Sequence, residues 1–340
     1  MRKRTRPAAK PVMVLILGSL PCLAAAQGSG VPAAGGDYDP PRTAYGHPDL
    51  QGFWTNATYT SLERPAGVAK ALFTPEELAE RLSRAAAAES AQTEPGTVAD
   101  VHYDFTQFGL DRSQSTFVQD LRTSLIVDPA DGKIPPMTAE GRARNAARAE
   151  AQARLGGRWD SAQANQLDDR CLIMRGSGPP MMDAGYNANY QIVQTPDHVM
   201  ILVEMIHDVR LIPLDGRAAP HPNVRQWMGA SRGRWEDDTL VVETTNFNGK
   251  NPFNGSSEHM RVIERFTRIA DDAIMYSFTI DDPSTWARPW TAELPMKATF
   301  GPLFEHACHE GNYGLYNTLV GARLEEERAA AEARQAEQAQ

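Results

Sequence analysis

The stretch NYQIVQTPDHVMILVEMIHDVRLIPL, Asn189 to Leu214, decides the fold. Its apolar and β-branched runs are too short and too closely punctuated for helices, and Pro196-Asp197 supplies a turn between them. The same grammar recurs downstream. Arg232 to Trp235 turns at Asp237-Asp238 into Leu240 to Phe247, and His259 to Ile269 turns at Asp271-Asp272 into Ile274 to Ile280. From Asn189 to Ile280 the chain therefore reads as an antiparallel meander. Such strands need closure or a covering layer to protect their edges, so the expected fold is mainly β, a barrel or sandwich with peripheral α-helices.

Outward from the meander the pattern changes. Thr74 can cap a helix, with Pro75 at its first position and Glu77 completing a capping box. A second helix is expected from about Thr138 to Leu155, rich in Ala, Arg and Glu and nearly without an apolar face, hence on the surface. Glu89 to Asp111 lacks periodicity and reads as an ordered loop or lid. Residues 27–47 are rich in Gly, Pro and Ala and read as a flexible leader; 48–321 form one β-rich domain; the alanine-rich, charged tail 322–340 is expected to be a solvated helix or disordered.

The first 26 residues carry the three parts of a cleavable export signal. Arg2, Lys3, Arg4, Arg6 and Lys10 precede an apolar run from Val12 to Leu20, then Pro21 and the small residues Ala24 to Ala26. That run is about half the ~20 residues a membrane span requires, and no later segment replaces it. Cys22 falls within the discarded peptide. A periplasmic or secreted location follows. Cleavage removes five basic and no acidic side chains, taking the formal charge from −9 to −14. A surface so acidic disfavours nucleic acid as a partner.

Two cysteines remain, Cys171 and Cys308, and an even pair in an oxidising compartment suggests a disulfide. Closing so long a loop stabilises by about 5 kcal/mol in the chain-entropy model. Two separate buried thiols, or a nucleophilic Cys308 between His306 and His309, are the alternatives.

As one continuous strand, Val199 to Ile212 places Val199, Ile201, Val203, Met205, His207, Val209 and Leu211 on one face. Glu204, Asp208 and Arg210 share the other. If the first face lines a cavity, His207 is its natural proton-transfer group; otherwise it is a core histidine satisfied by the backbone. Glu204, Asp208 and Arg210 form either a buried, ligand-facing charge cluster or a solvated ladder. Near the C-terminus, Glu305 to Gly314 is dense in polar groups, and His309 and Glu310 are candidate acid/base partners there, with a loop pinned by Cys308 as the alternative. Tyr186, Asn187, Asn189 and Tyr190, following the Gly- and Pro-rich stretch Gly176 to Pro180, can line a cavity mouth or form a plain turn.

No nucleotide-binding glycine motif, phosphate loop or nucleophile elbow is present, and no metal motif with the required spacing. No cofactor is expected. The stretches HPDLQGFWTNATYTSLERP (His47 to Pro65), SRGRWEDDTLVVETTNF (Ser231 to Phe247), DDPSTWARPWTAELP (Asp281 to Pro295) and HACHEGNYGL (His306 to Leu315) resemble an exported family common in environmental bacteria. The resemblance implies one intact domain and brings no activity or catalytic residues. Gly52-Phe53-Trp54 is similar to the Gly-x-Trp opening lipocalin-like barrels, whose Trp closes the barrel base. Two functions are thus expected. One is a cofactor-independent lyase, isomerase or hydrolase using acid/base chemistry on a small, largely apolar molecule, and the other is a noncatalytic binder of such a molecule.

Overall fold

The computed structural model describes residues 38–89, 120–157, 159–174, 176–183 and 185–338. The expected export signal, residues 27–37 of the leader, and the segment from 90 to Asp111 lie outside the described residues. In chain order the elements are β1 (Gly52–Thr55), α1 (Pro75–Glu89), β2 (Ile126–Asp128), α2 (Ala139–Ala153), β3 (Asn189–Gln194), β4 (His198–Val203) and β5 (Val209–Pro213). There follow β6 (Ala230–Glu236), β7 (Thr239–Thr245), β8 (Arg261–Ala270), β9 (Ala273–Asp281), β10 (Trp290–Ala298) and α3 (Tyr313–Gln338).

The strands form one ten-stranded antiparallel sheet in the order β5-β4-β3-β1-β10-β9-β8-β7-β6, with β2 also paired to β10. The sheet is nearly closed into a barrel. At the seam between its end strands, β5 and β6, Gly233 is required: a Cβ there would lie 2.8 Å from Ile212 Cγ2 and 2.7 Å from Leu214 Cδ2.

Period-two alternation fills the interior. Tyr190 and Ile192 of β3, Val199, Ile201 and Val203 of β4, Phe266 of β8, Tyr276 and Phe278 of β9, and Trp290 of β10 are all buried. The rings meet edge to face, Trp286 and Trp290 at 5.8 Å and 85°, Phe278 and Trp290 at 5.9 Å and 72°. Trp54 of β1 is buried as well, its Nε1 donating to Leu50 O at 2.9 Å and the Arg268 guanidinium lying 5.7 Å over its ring.

The single long strand expected from Val199 to Ile212 is instead a hairpin. β4 pairs with β5 antiparallel, Val199 opposite Ile212 and Ile201 opposite Arg210, around a turn at Glu204 to Asp208. The reversal switches the inward parity, so Arg210 and Ile212 point into the barrel while Val209 and Leu211 are exposed. His207 sits on the turn, exposed, and lines no barrel cavity.

The inward Arg210 meets Glu264 of β8 with two hydrogen bonds of 2.9 and 2.5 Å. Tyr276 donates to the same carboxylate at 2.9 Å. Burial opposes the arginine's charge, but the Glu264 carboxylate more than offsets it, and the guanidinium pKa is raised.

The helices follow their caps. Thr74 N donates to Glu77 Oε2 at 2.8 Å and Glu77 N donates to Thr74 Oγ1 at 3.3 Å, the reciprocal box that starts α1. Thr138 Oγ1 accepts from Gly141 N at 3.0 Å to start α2. The expected tail belongs to α3, which begins at Tyr313 and buries no residue. Residues 38–47 of the expected flexible leader are tied down: His47 stacks on Trp235 at 4.7 Å and Arg42 pairs with Asp238 at 2.9 Å. No helix among the described residues is long and apolar enough to cross a membrane.

Replacing Arg210 by Met should destabilise by about 3–5 kcal/mol, because Glu264 is left buried and uncompensated. Adding Glu264→Gln, which removes the orphaned charge and keeps an acceptor for Tyr276, should recover most of that loss in a denaturant titration.

Candidate functional site

Two regions can bind. The first is built on the β4–β5 turn. Met205 and Ile206 are buried, and for both to tuck inward the backbone takes left-handed geometry at Ile206 (φ 63°) and His207 (φ 48°), uncommon for any non-glycine and strained for a β-branched residue. Glu204 is buried at the turn's start, its N–H donating to Asn189 O at 3.0 Å and its carboxylate accepting from Asn189 Nδ2 at 2.7 Å.

A covalent link brings the C-terminal loop over this turn. The Cys171–Cys308 disulfide, with its Cα atoms 5.7 Å apart, and the Asn312 Nδ2 donation to Asp169 O at 2.9 Å fix residues 306–312 against the 165–174 segment. His207 Nδ1 then lies 3.1 Å from His306 O, and the His306 ring is 6.2 Å from Tyr186. His306 Nδ1 is buried with no hydrogen-bond partner. Burial lowers the His306 pKa, nearby His207 lowers it further, and Glu204 acts against both. Beside these groups runs an open groove of about 650 Å³, walled by Tyr186, His306, the disulfide and Asp168.

Of the residues singled out from sequence, Tyr186, Asn189, Glu204 and His207 thus gather around the turn, joined by His306. Asp208 is half-buried there, its pKa raised by desolvation against the opposing pull of His207. The others are elsewhere. Arg210 is consumed by Glu264, and Tyr190 is buried inside the barrel, its pKa raised by burial. His309 and Glu310, the candidate acid/base partners, are exposed on the turn before α3 and lie outside the groove wall. Among the described residues no group of three His, Cys, Asp or Glu side chains is placed to hold a metal ion.

The second region, not found from sequence, is a cavity of about 450 Å³ between the 166–182 segment and the loops flanking β6 and β7. Its walls include Met174, Met182, Met228, Met260, Phe247 and Phe253, with Trp227 and Lys250 at the mouth. Gly178 lets Met228 approach: a Cβ at 178 would lie 3.0 Å from its Sδ. Lys250 Nζ sits 6.0 Å from the Trp227 ring centroid, a cation–π contact. The ionisable lining groups, Asp168 and Lys250, are both exposed. The glycine- and proline-rich stretch Gly176 to Pro180 was a signal for this wall, since it frames one side.

Compared with protein-family models, curated proteins and solved structures, the chain matches none of them.

The lowered pKa of His306 fixes a pH dependence. The folded state holds that ring neutral to lower pH than the unfolded chain does, so just below the ordinary histidine pKa the unfolded state binds more protons and stability falls as pH falls. His306→Gln should flatten the decline between about pH 7 and 5 in melting temperatures recorded against pH. A variant with the full wild-type slope would assign the decline to other groups.

Proposed function

We propose that the chain is an exported, noncatalytic binder of a small, largely apolar molecule, held in the methionine- and aromatic-lined cavity. The observation that carries this reading is the arrangement of that cavity. Its volume lies in the ~300–1,000 Å³ range of small-molecule sites, its walls set four methionines and three aromatic rings among the uncharged polar Gln166, Asn251 and Asn254, and its ionisable groups are exposed. The described inward residues of the barrel are instead buried rings, aliphatics and the Arg210–Glu264 pair. The export reading is supported by the leader sequence and by the disulfide.

Binding of the uncharged fluorophore N-phenyl-1-naphthylamine tests the reading. Saturable enhancement at one site per chain is expected. Met228→Trp, which fills the cavity, should weaken it at least about tenfold while the melting temperature stays close to wild type. Phe300→Ser with Phe304→Ser, removing two exposed rings that are no part of the cavity's wall, should leave it intact. Binding that survives the cavity-filling change would overturn the proposal.

One observation favours the acid/base enzyme as a second reading: His306, His207 and Glu204 gather beside the open groove, with His306 Nδ1 buried and unpartnered. On that reading a compound retained from a lipophilic extract is chemically altered over hours by the wild type and stays intact with His306→Gln. Mass spectrometry of the retained compound decides between the two.

A further inference from the structure

Lys250 lines three adjoining hollows: the apolar cavity, a polar one of about 560 Å³ beside α2, and a third of about 320 Å³ under the α2 arginines. The charges around the two polar hollows do not cancel. Glu140 pairs with Arg144 at 3.6 Å, and Glu258 is taken by Arg225 at 3.5 Å. Three cations remain without a carboxylate partner among the described residues: Arg148, Arg170 and Lys250. Arg148 donates only to neutral oxygens, Ser256 O at 2.9 Å and Asn145 Oδ1 at 3.2 Å among them. The nearby Asp282, held by Ser257, Ser284 and Thr285, keeps its negative charge and offsets part of the positive excess at Arg148. Asp168, at the cavity's rim, likewise faces this group without a salt bridge.

On a chain with an excess of acidic residues this is a local reversal of sign. Several arginines of the barrel wall are matched, Arg234 and Arg265 by Glu236, Arg261 by Asp281 and Arg288 by Asp128, whereas Arg232 and Arg268 donate to backbone carbonyls. Uncompensated cations at the mouth of a concave, partly desolvated site attract an anion. Burial and then the neighbouring Arg144 lower the Arg148 pKa, and Asp282 and Glu258 pull the other way without restoring it.

We propose that the ligand is an amphipathic anion whose apolar body fills the methionine-lined cavity and whose single carboxylate or sulfonate group sits on Lys250 towards Arg148. This rests on the cavity reading above and adds the class of ligand to it. Lys250 is placed for both parts: its ammonium lies against Trp227 at the mouth while its own residue forms the border of the cationic hollows. The headgroup stays at the wet rim, so no charge is buried without a partner.

The test compares two probes with one ring system, 8-anilinonaphthalene-1-sulfonate and the uncharged N-phenyl-1-naphthylamine, on the full mature chain. The sulfonate should bind about tenfold tighter or better, and raised salt should weaken it alone. Lys250→Gln, at an exposed position, should cost the sulfonate about tenfold and leave the uncharged probe within about twofold. Displacement of the sulfonate by decanoate or by 1-naphthoate at concentrations at least about tenfold lower than decanol needs identifies the body as alkyl or ring and supports the anion in either case. Equal affinity for the two probes, or equal loss of both in Lys250→Gln, overturns the anion while leaving the cavity standing. Failure of both probes to bind overturns the cavity reading itself.

Discussion

The Arg210–Glu264 ion pair is the constraint on which the barrel and its binding region both depend. It joins β5, the last strand at one end of the sheet, to β8 across the interior, so it spans the space that closure encloses. A buried pair of this kind is a poor source of net stability, because desolvation consumes most of the attraction, but it penalises every arrangement that separates the partners. Tyr276 extends it. Its hydroxyl donates to Glu264 and accepts from Met181 N at 2.9 Å, which anchors the segment whose next residue, Met182, lines the apolar cavity. A polar network in the core thereby sets the position of a wall outside it.

Where the chain reverses on Pro196-Asp197, Asp237-Asp238 or Asp271-Asp272, the turn residues announce themselves and the hairpins were legible. The β4–β5 reversal was not. Glu204-Met205-Ile206-His207 carries neither Gly, Pro nor Asn, and its left-handed residues are held by burial of Met205 and Ile206, a tertiary effect that local preference cannot reveal. β10 was hidden for the opposite reason. Pro295 argues against a central strand, yet it lies between the part of β10 that pairs β2 and the part that pairs β1, where β9 is its only neighbour.

The candidate sites divide in the same way. Tyr186, Asn189, Glu204 and His207 were separate suggestions that the hairpin turn draws together, and the Cys171–Cys308 link, inferred from two retained cysteines, delivers His306 to them. Arg210 and Tyr190 carry side chains suited to ligand binding but were claimed by the core, Arg210 by Glu264, distant in sequence, and Tyr190 by the inward face of β3. Apart from the stretch Gly176 to Pro180, the cavity had no linear signature. Met174 and Met182, Met228, and Met260 come from three irregular segments, where no periodicity marks a shared face.

The cavity and the groove share Asp168 and Met174, and the disulfide lies in the groove's wall. Their common partition is therefore held from three directions, by the Cys171–Cys308 link, by the Asn312 contact to Asp169 O, and by Tyr276 acting on Met181. Methionine side chains repack at little cost, whereas a partition fixed in this way does not move to meet a ligand. A cavity with soft lining on a rigid frame selects by volume and by the position of its charged rim more than by detailed shape. Discrimination among apolar bodies of similar size must then come from the mouth, where Trp227 and Lys250 present the cavity's aromatic face and its cation together.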